Sequence, residues 1–461
     1  MMGASKDKKA TALFKGILKD IKPSKVEIEA TTANVNRLTT ALKAIVPKDV
    51  EIRVAGSVAR GTNLKGDADI DFFLLFEKGT SREKLVEHGL SYGKALAKAE
   101  KSRFEIKYAE HPYVRVYVER MGIKADVVPA WKIRSADEMG TMVDRTPLHT
   151  EFINGRLAER QRDEVRLLKF LLKKHNIYGA EVKVGGFPGY LCELLIYHYG
   201  SLMKMLEAAA AYRLPLVISP DVRKEINDIG INKRFGSDFV VIDPVDSDRN
   251  VAAGLSVESL ARFVVLAREF VRNPDKRLFY GEKFSHAEMP RYLSAFMKEC
   301  GLNLHLMVTK VPDESEDTVW PQLRKLSEIL DDQVSRYGFE TYMSIPYLSG
   351  RNGVIAVIAP KSVKSSRLLK GPDIFIRNAA DSFMSKHKDA MGFVVRGRTI
   401  LALERGKYQT IEDMLDGFSS GKLQLRSKHI SFKGSKVYSN RVPKELEHST
   451  YYELKKRLSL P

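Results

Sequence analysis

The stretch VAGSVARGTNLKGDADIDFFLLF, residues 54–76, decides how the first part of this chain folds. A short apolar run ends at a Gly56-Ser57 turn, and a strand-like run follows in which Asp69 and Asp71 alternate with apolar residues. Because side chains in a β-strand point alternately to its two faces, both carboxylates are predicted to share one face. Such a pair suits Mg²⁺, which takes one or two carboxylates and leaves its other positions to water and substrate phosphates.

The turn before these acids predicts a phosphate site. A glycine and a hydroxyl at a turn free backbone N–H groups to cradle a triphosphate, and Arg60 follows with a positive charge. The acidic pair taken alone is equally consistent with an edge strand whose acidic face is solvated. An anion cradle combined with a metal site indicates phosphoryl transfer.

Length and charge limit the class of protein. With 461 residues, the chain has room for about two to four domains, and its composition of 44% hydrophobic and 29% charged residues is that of a globular protein. A net charge of +18 predicts a polyanionic partner, either nucleic acid or a membrane surface. Neither a transmembrane run nor a signal peptide is predicted, so we expect a cytoplasmic protein. Cys192 and Cys300 are predicted to be buried singly, without a disulfide or zinc site.

A third acid follows in the second of two alternating runs, YVRVYV (113–118) and IKADVVPAW (123–131). Their connection is short enough for a hairpin. Asp126 lies in the otherwise apolar second run. A single aspartate in a strand is more commonly an exposed residue than a ligand, but the apolar run around Asp126 favours a ligand here.

The string GSVARGTNLKGDADID resembles the signature of DNA polymerase beta-like nucleotidyltransferases, and in this extended form it is similar to the archaeal CCA-adding enzymes, which are tRNA nucleotidyltransferases. Further strings extend the resemblance along the chain: KADVVPAW, DRTPLHTEFI, VRLLKFLLKKHNIYGAE and DPVDSDRNVAAGLS. The resemblance is strongest over residues 52–256 and weaker in the C-terminal third.

The resemblance implies a role for each candidate site residue. Three acids would hold two Mg²⁺ ions: Asp69, Asp71 and Asp126. Asp126, the acid on the neighbouring strand, would also help deprotonate the attacking hydroxyl. The other candidates would bind CTP or ATP: Gly56, Ser57 and Arg60 at the triphosphate, Thr146 and His149 facing the nucleotide, Lys169 and Tyr178 at the phosphates or sugar, and Arg249 at the base. Without the resemblance, the sequence would predict structural roles for four of these residues. Thr146 would be a helix cap, His149 and Lys169 would be solvated helix residues, and Arg249 would make a contact at the start of a helix.

The implied reaction is attack by the 3′-hydroxyl of tRNA on the α-phosphate of CTP or ATP, with release of pyrophosphate. It would add or repair the terminal CCA without a nucleic-acid template. The implied fold is α+β, with a polymerase-beta-like catalytic head (1–150), a helical neck (151–275), and a body and tail that bind tRNA (276–461). Within the last part, a βαββ order from residue 302 predicts a ferredoxin-like or RRM-like body, followed by an α+β tail. The resemblance also implies a homodimer.

The C-terminal segment 421–461 is a candidate RNA-binding surface. It contains ten Lys and Arg residues against three Glu. Aromatic residues are interleaved with these charges: Phe432, Tyr438, Tyr451 and Tyr452. Basic and aromatic side chains together suit an RNA backbone and its bases, although a charged run is also typical of a solvated surface.

Three alternative functions stay open. A poly(A)-type or oligoadenylate-type nucleotidyltransferase shares the head motif, but the neck strings argue against it. A non-catalytic RNA-binding protein on this scaffold would have to keep three carboxylates together without a metal, which is costly. Transfer of a nucleotide to a small molecule would leave the basic C-terminal third without a role.

Overall fold

The computed structural model describes residues 2–67, 69–108, 110–222, 224–226, 229–280, 288–361 and 366–458. The chain divides into two compact units, residues 1–282 and 283–460. Helices and β-sheets occur in both units, so the predicted α+β class is confirmed.

The first part of unit one is built on a five-stranded sheet. Its strands are β1 (Glu51–Ala55), β2 (Ile70–Phe76), β3 (Arg103–Tyr108), β4 (Pro112–Val118) and β5 (Ile123–Trp131). The helices that precede or interrupt them are α1 (Met2–Ile21), α2 (Lys25–Ile45), α3 (Gly56–Ala59) and α4 (Arg82–Ala99). The strand order is β1-β2-β5-β4-β3, in which only β2 and β5 run parallel. The predicted hairpin is confirmed by the antiparallel pairing of β4 with β5.

Alternation along β2 separates the core of this sheet from its polar face. Ile70, Phe72 and Leu74 are fully buried in a core that includes side chains of α2 and α4. Asp71 therefore points to the opposite face, as period-two geometry requires. Asp69 does not belong to the strand, because β2 begins at Ile70.

The second part of unit one is mainly helical. Its helices are α5 (Arg145–Arg156), α6 (Glu159–Lys174), α7 (Gly189–Tyr199), α8 (Leu202–Ala210), α9 (Ile229–Phe235), α10 (Val257–Arg272) and α11 (Arg277–Tyr280). Helix α1 joins their core, where Phe14 stacks on Phe270 with ring centroids 5.5 Å apart and meets Phe279 edge-on. The N-terminal helix thus packs with residues that lie far along the sequence.

The prediction of a helical neck missed a small sheet. Strands β6 (Leu216–Ser219), β7 (Lys224–Ile226), β8 (Phe239–Asp243) and β9 (Asp246–Asn250) associate in the order β7-β6-β8-β9. The Asp and Pro residues of the segment 243–256 predict a loop before a helix, and this prediction is wrong for the first half of the segment, where residues 246–250 form β9. Arg249 therefore lies on strand β9, and α10 begins only at Val257. The polar sequence of β9 has no alternation, so it carries no strand signal.

Unit two contains a four-stranded sheet with a three-stranded sheet inserted in its sequence. Its strands are β10 (Leu302–Lys310), β11 (Met343–Ser349), β12 (Asn352–Pro360), β13 (Ser366–Asp373), β14 (Gly392–Arg396), β15 (Thr399–Arg405) and β16 (Lys436–Ser439). Its helices are α12 (Met289–Glu299), α13 (Glu316–Arg336), α14 (Arg377–Lys386), α15 (Ile411–Ser419) and α16 (Glu447–Leu458). The order β11-β12-β10-β16 is that of a ferredoxin-like β-α-β-β-α-β unit, and the inserted sheet has the order β13-β15-β14.

Three details of the sequence interpretation need correction. The sequence predicts a helix over residues 372–387, but the helix begins at Arg377, because residues 366–373 pair with β15 as a strand. Cys300 is exposed, whereas Cys192 is buried as predicted. Phe432 is buried in a core of unit two and is not available to stack on RNA, whereas Tyr452 is 46% exposed. Within the described ranges, the model contains no helix with the length and apolarity needed to cross a membrane.

Candidate active site

Two of the predicted acids are direct neighbours on the polar face of the first sheet. Asp71 of β2 lies opposite Asp126 of the parallel strand β5 in the pairing register. Asp126 is only 6% exposed. Burial, and then the negative charge of Asp126, raises the pKa of Asp71 to about 7. A buried acid with an adjacent acid is typical of a functional site, since neither charge is favourable there without a cation.

Arg115 is the side chain that compensates Asp126. It lies opposite Asp126 on β4, and its Nε and Nη2 donate hydrogen bonds to the two carboxylate oxygens at 2.7 and 2.6 Å. This two-pronged contact is the strongest form of arginine–carboxylate pairing. The sequence analysis did not single out Arg115, although its place in the alternating run YVRVYV, paired with the strand of Asp126, was the available signal.

Asp69 lies just before β2 and is more open than the other two acids, with a side chain that is 43% exposed. Burial raises the pKa of this carboxyl, and the Nζ of Lys124, 3.9 Å away, opposes that shift. Among the residues that the model describes, no three acidic, histidine or cysteine side chains converge as a ready-made metal cluster. Asp126 is held by Arg115, and Asp69 lies near Lys124.

The Gly56-Ser57 turn approaches the acids closely. Gly56 ends the segment from β1 with a φ of +77° and begins α3. A Cβ at this position would lie 1.8 Å from Oδ2 of Asp71, so only glycine fits here. Ser57 is half-buried, and its carbonyl accepts a hydrogen bond from the Thr62 amide at 2.9 Å. The turn therefore lies against Asp71 at Gly56, and Ser57 follows directly.

Two of the predicted phosphate-binding cations share one buried acid. Nε of Arg60 lies 2.8 Å from Oε2 of Glu193, and Nζ of Lys169 lies 3.4 Å from Oε1. Lys169 also donates to the hydroxyl of Thr62 at 3.0 Å. Glu193 is fully buried; burial raises the pKa of its carboxyl, but Arg60 and Lys169 outweigh that effect and hold it below its usual value. The interpretation of Lys169 as a solvated residue is therefore wrong.

Tyr178 lies close to this cation cluster. A Cβ on Gly189 would lie 3.1 Å from the Tyr178 hydroxyl and 3.6 Å from Nζ of Lys169, so the two polar groups flank the same small space. Burial raises the pKa of Tyr178, which keeps its hydroxyl protonated and able to donate. Lys173 lies over the ring, 5.3 Å from its centroid.

A second cluster brings together His149 and Arg249. Nε2 of His149 lies 2.9 Å from Oδ2 of Asp243, and Nη1 of Arg249 donates to the same oxygen at 2.8 Å. The Tyr190 hydroxyl donates to Oδ1 of Asp243 at 3.0 Å, and the Tyr190 ring stacks on His149 at 3.9 Å. Burial raises the pKa of Asp243, but His149 and Arg249 outweigh it and lower that pKa to about 2.

Thr146 is the remaining predicted residue, and it does not cap α5, which begins at Arg145. It is half-buried in the first turn, and its carbonyl accepts a hydrogen bond from the Thr150 hydroxyl at 3.1 Å. That hydroxyl in turn accepts from Nη1 of Arg60 at 3.3 Å. Thr146 is thus connected to the cation cluster through Thr150.

Helix α7 links the two clusters, since it carries both Tyr190 and Glu193. The sequence alone predicts a core helix with a scaffolding role over this run, and it singles out neither of these residues, nor Asp243. A single acid inside an apolar helix was the available signal for Glu193. Taken together, the geometry offers a pair of acids for a divalent cation and a set of buried cations for a polyphosphate.

Comparison with known proteins defines the class. A family model described as "Nucleotidyltransferase domain" matches residues 35–149, the part that carries the paired acids. A model for the second domain of tRNA nucleotidyltransferases matches residues 163–280, and one for the C-terminal domain of CCA-adding enzymes matches residues 301–431. The chain is therefore a nucleotidyltransferase.

Whole-chain relatives define the family. The CCA-adding enzyme of Methanocaldococcus jannaschii is 34% identical over 439 residues, which cover 92% of this chain and 94% of that protein. That of Archaeoglobus fulgidus is 36% identical over 408 residues, covering 86% and 89%. The chain belongs to the CCA-adding enzyme family, and the resemblance noted in the sequence is confirmed. The RNA terminal uridylyl transferase Cid1 aligns structurally with a TM-score of 0.48 and 16% identity, covering 60% of this chain and 99% of Cid1, a likeness too distant to bear on function.

Proposed function

We propose that this chain adds and repairs the 3′-terminal CCA of tRNA, using CTP and ATP and no nucleic-acid template. In the proposed reaction, the 3′-hydroxyl oxygen of the RNA forms a bond to the α-phosphorus, and the bond to the leaving pyrophosphate breaks. The observation that carries the proposal is the side-by-side placement of Asp71 and Asp126 against the Gly56 turn. Membership of the CCA-adding family supplies the substrate class.

Mg²⁺ fits the donor set that these residues offer. Asp69, Asp71 and Asp126 are hard oxygen donors. The pKa of Asp71 is raised because burial and the negative charge of Asp126 outweigh the opposing charges of Arg60 and Arg115. We propose that these three acids hold two Mg²⁺ ions. Bound Mg²⁺ would supply charge stabilisation for the attacking and leaving oxygens. The chain's own contribution is to hold Asp71 and Asp126 in register on two parallel strands, with Asp69 just before the first of them.

The nucleotide is proposed to lie between the two buried clusters. Gly56 and Ser57 would present backbone N–H groups and a hydroxyl to the triphosphate, with charge from Arg60 and Lys169 and a hydroxyl donor from Tyr178. Three further residues are proposed to contact the nucleotide: Thr146, His149 and Arg249. Asp243 supports this arrangement because it binds both His149 and Arg249.

Arg249 is expected to select the base. One nitrogen of its planar fork is held by Asp243, and the side chain keeps 30% exposure. Arg249→Ala should reduce the preference for C and A over U and G by about 1–3 kcal/mol, and Arg249→Lys should not restore it, since an ammonium lacks the fork. Single-nucleotide incorporation with each of the four triphosphates measures this preference.

The control for Arg249 is Arg234→Ala, which removes an exposed arginine paired with Asp248 of the same hairpin. It should leave nucleotide preference unchanged. Uniform slowing with all four nucleotides and intact preference in Arg249→Ala would contradict base selection and leave Arg249 with a structural role.

The C-terminal part is proposed to hold the tRNA. Its segment 421–461 carries ten Lys and Arg residues against three Glu, and Tyr452 in this segment is 46% exposed. Phosphate contacts from lysine and arginine make RNA binding weaken as salt rises. A cytoplasmic location, where tRNA is matured, belongs to the same proposal.

A homodimer is also proposed, through the edge strand β14. This strand ends the order β13-β15-β14, and Val394 and Val395 on it are 45% and 56% exposed. Exposed apolar edge strands favour pairing with another chain. We expect light scattering to give twice the chain mass of 52.1 kDa for the wild-type chain and the mass of a monomer for Val394→Lys. The control is Val257→Lys, which changes an exposed valine on a helix and should leave the dimer intact. A monomeric wild-type chain would contradict the proposal.

The experiment for the function uses three tRNA transcripts that end before CCA, after C, and after CC. Each is incubated with CTP or ATP alone, and product length is read on a denaturing gel. We expect CTP to extend the first by two nucleotides, and ATP to extend only the third, by one. Long A tails on every transcript would favour the poly(A)-type alternative, and tRNA binding without any extension would favour the non-catalytic one.

A further inference from the structure

Glu193 is a charged residue where an apolar one would be expected. It lies on α7 between side chains that are themselves fully buried, among them Leu191, Cys192 and Leu194, and its own side chain has no exposure. Burying a carboxylate is costly unless it is paired and hydrogen-bonded. A buried charge in a helix core therefore indicates a functional role for the residue.

The carboxylate of Glu193 contacts two cations and one hydroxyl. Oε1 accepts a hydrogen bond from the Thr62 hydroxyl at 2.5 Å and lies 3.4 Å from Nζ of Lys169. Oε2 lies 2.8 Å from Nε of Arg60. The carboxylate therefore binds side chains from three places in the sequence: the end of α3, the loop that follows it, and α6. These cations are also nearly inaccessible, with side-chain exposures of 9% for Arg60 and 3% for Lys169.

The charges in this cluster do not cancel. Two cations face one carboxylate, so one positive charge remains uncompensated within it. Lys169 also lies beside the Tyr178 hydroxyl at the space flanked by Gly189. A polyphosphate is the anion that the proposed function brings to this place. Glu193 can thus hold both cations in position without neutralising their attraction for it.

We propose that Glu193 is a positioning residue that fixes Arg60 and Lys169 for the nucleotide triphosphate and keeps Lys169 protonated. The inference rests on the proposed function, because it takes these two cations to bind triphosphate. Glu193 itself need not touch the nucleotide.

The protonation of Lys169 depends on the groups that face it. Burial lowers the pKa of Lys169, and the carboxylate of Glu193 opposes that shift. From the other elements packed around it, Arg60 at the end of α3 lowers the pKa further, whereas Cys192 of α7 raises it. The Tyr178 hydroxyl is the remaining titratable neighbour. Removal of the Glu193 charge should therefore let Lys169 lose its proton at a lower pH.

The test is Glu193→Gln in the full chain, which keeps the shape and removes the charge. We expect KM for CTP and for ATP to rise together by about tenfold or more, since phosphate contacts do not read the base. We also expect the alkaline limb of kcat/KM to move to lower pH by at least about one unit. In Glu193→Gln/Lys169→Arg, that limb should return towards the wild-type position, because arginine does not lose its proton in proteins.

A raised KM with an unmoved alkaline limb would overturn the inference and leave Glu193 as a packing residue. If Glu193→Gln does not fold, Glu193→Asp serves instead. It keeps the charge on a shorter arm, so we expect a raised KM with the limb in place, and a displaced limb would overturn the inference. Lys169→Met separates the two proposals. An unchanged KM in Lys169→Met would refute triphosphate binding by Lys169, and the inference with it. A raised KM for both nucleotides in Lys169→Met, combined with an unmoved alkaline limb in Glu193→Gln, would refute the inference alone.

Discussion

Asp71→Asn is expected to reduce the addition of both C and A by about 10³-fold, while tRNA binding is retained. Asparagine keeps the size of the side chain but removes the charge that the proposed metal site needs, and metal-ion stabilisation of transferring phosphates amounts to several kcal/mol. Single-turnover incorporation into a tRNA transcript measures the rate, and filter binding measures tRNA affinity. Asp126→Asn should reduce the rate of incorporation by a similar factor.

The control for this prediction is Glu77→Gln. Glu77 follows the other end of β2, and its side chain is 70% exposed. It carries the same charge on the same strand segment but lies away from Asp126, so its replacement should leave incorporation nearly unchanged. Near-normal incorporation by Asp71→Asn would remove Asp71 from the reaction and with it the metal site proposed here.

Gly56→Ala is expected to reduce incorporation by about 10²-fold, because a misplacement of about 1 Å in an active site has an effect of that size. The added Cβ would lie 1.8 Å from Oδ2 of Asp71, which must move. Gly66→Ala is the matched control. Gly66 has a similar φ of +74° in the same loop region, but a Cβ there would contact nothing within 4 Å.

The two alanine variants share the conformational cost of a positive φ, so their difference isolates the approach to Asp71. Thermal unfolding should show a moderate loss of stability in Gly66→Ala and a larger one in Gly56→Ala, where the side chain of Asp71 must also move. Equal activity in the two variants would mean that the position of Asp71 beside the turn has no role in the reaction.

The strands of the first sheet could be predicted because their signals are local. Alternation marks β4 and β5, and the apolar run marks β2, so the hairpin follows from period-two geometry, as does the position of Asp71 on the face opposite the core. The predicted strand face shared by Asp69 and Asp71 is not formed, because β2 begins only at Ile70. The sheet in the second part of unit one could not be predicted in this way. Strand β9 is polar along its length and depends on pairing with β8 for its conformation.

The candidate ligands of the site came from motif resemblance, whereas the groups that hold them could not be found from spacing. Glu193 is more than 130 residues from Arg60 in the sequence, and Asp243 is 94 residues from His149. Such pairs form only when helices and sheets pack, and they leave no periodic signal. The contact of Arg115 with Asp126 could have been inferred more easily, because the register of the predicted hairpin places the two residues opposite each other.

The most direct test of the proposed function is sequencing of the 3′ ends of a tRNA transcript that lacks CCA, after incubation with the wild-type chain and all four nucleoside triphosphates at equal concentration. The function proposed here predicts that the added sequence is CCA and that extension stops there. Ends that carry A tails, U tails or mixed nucleotides would contradict it.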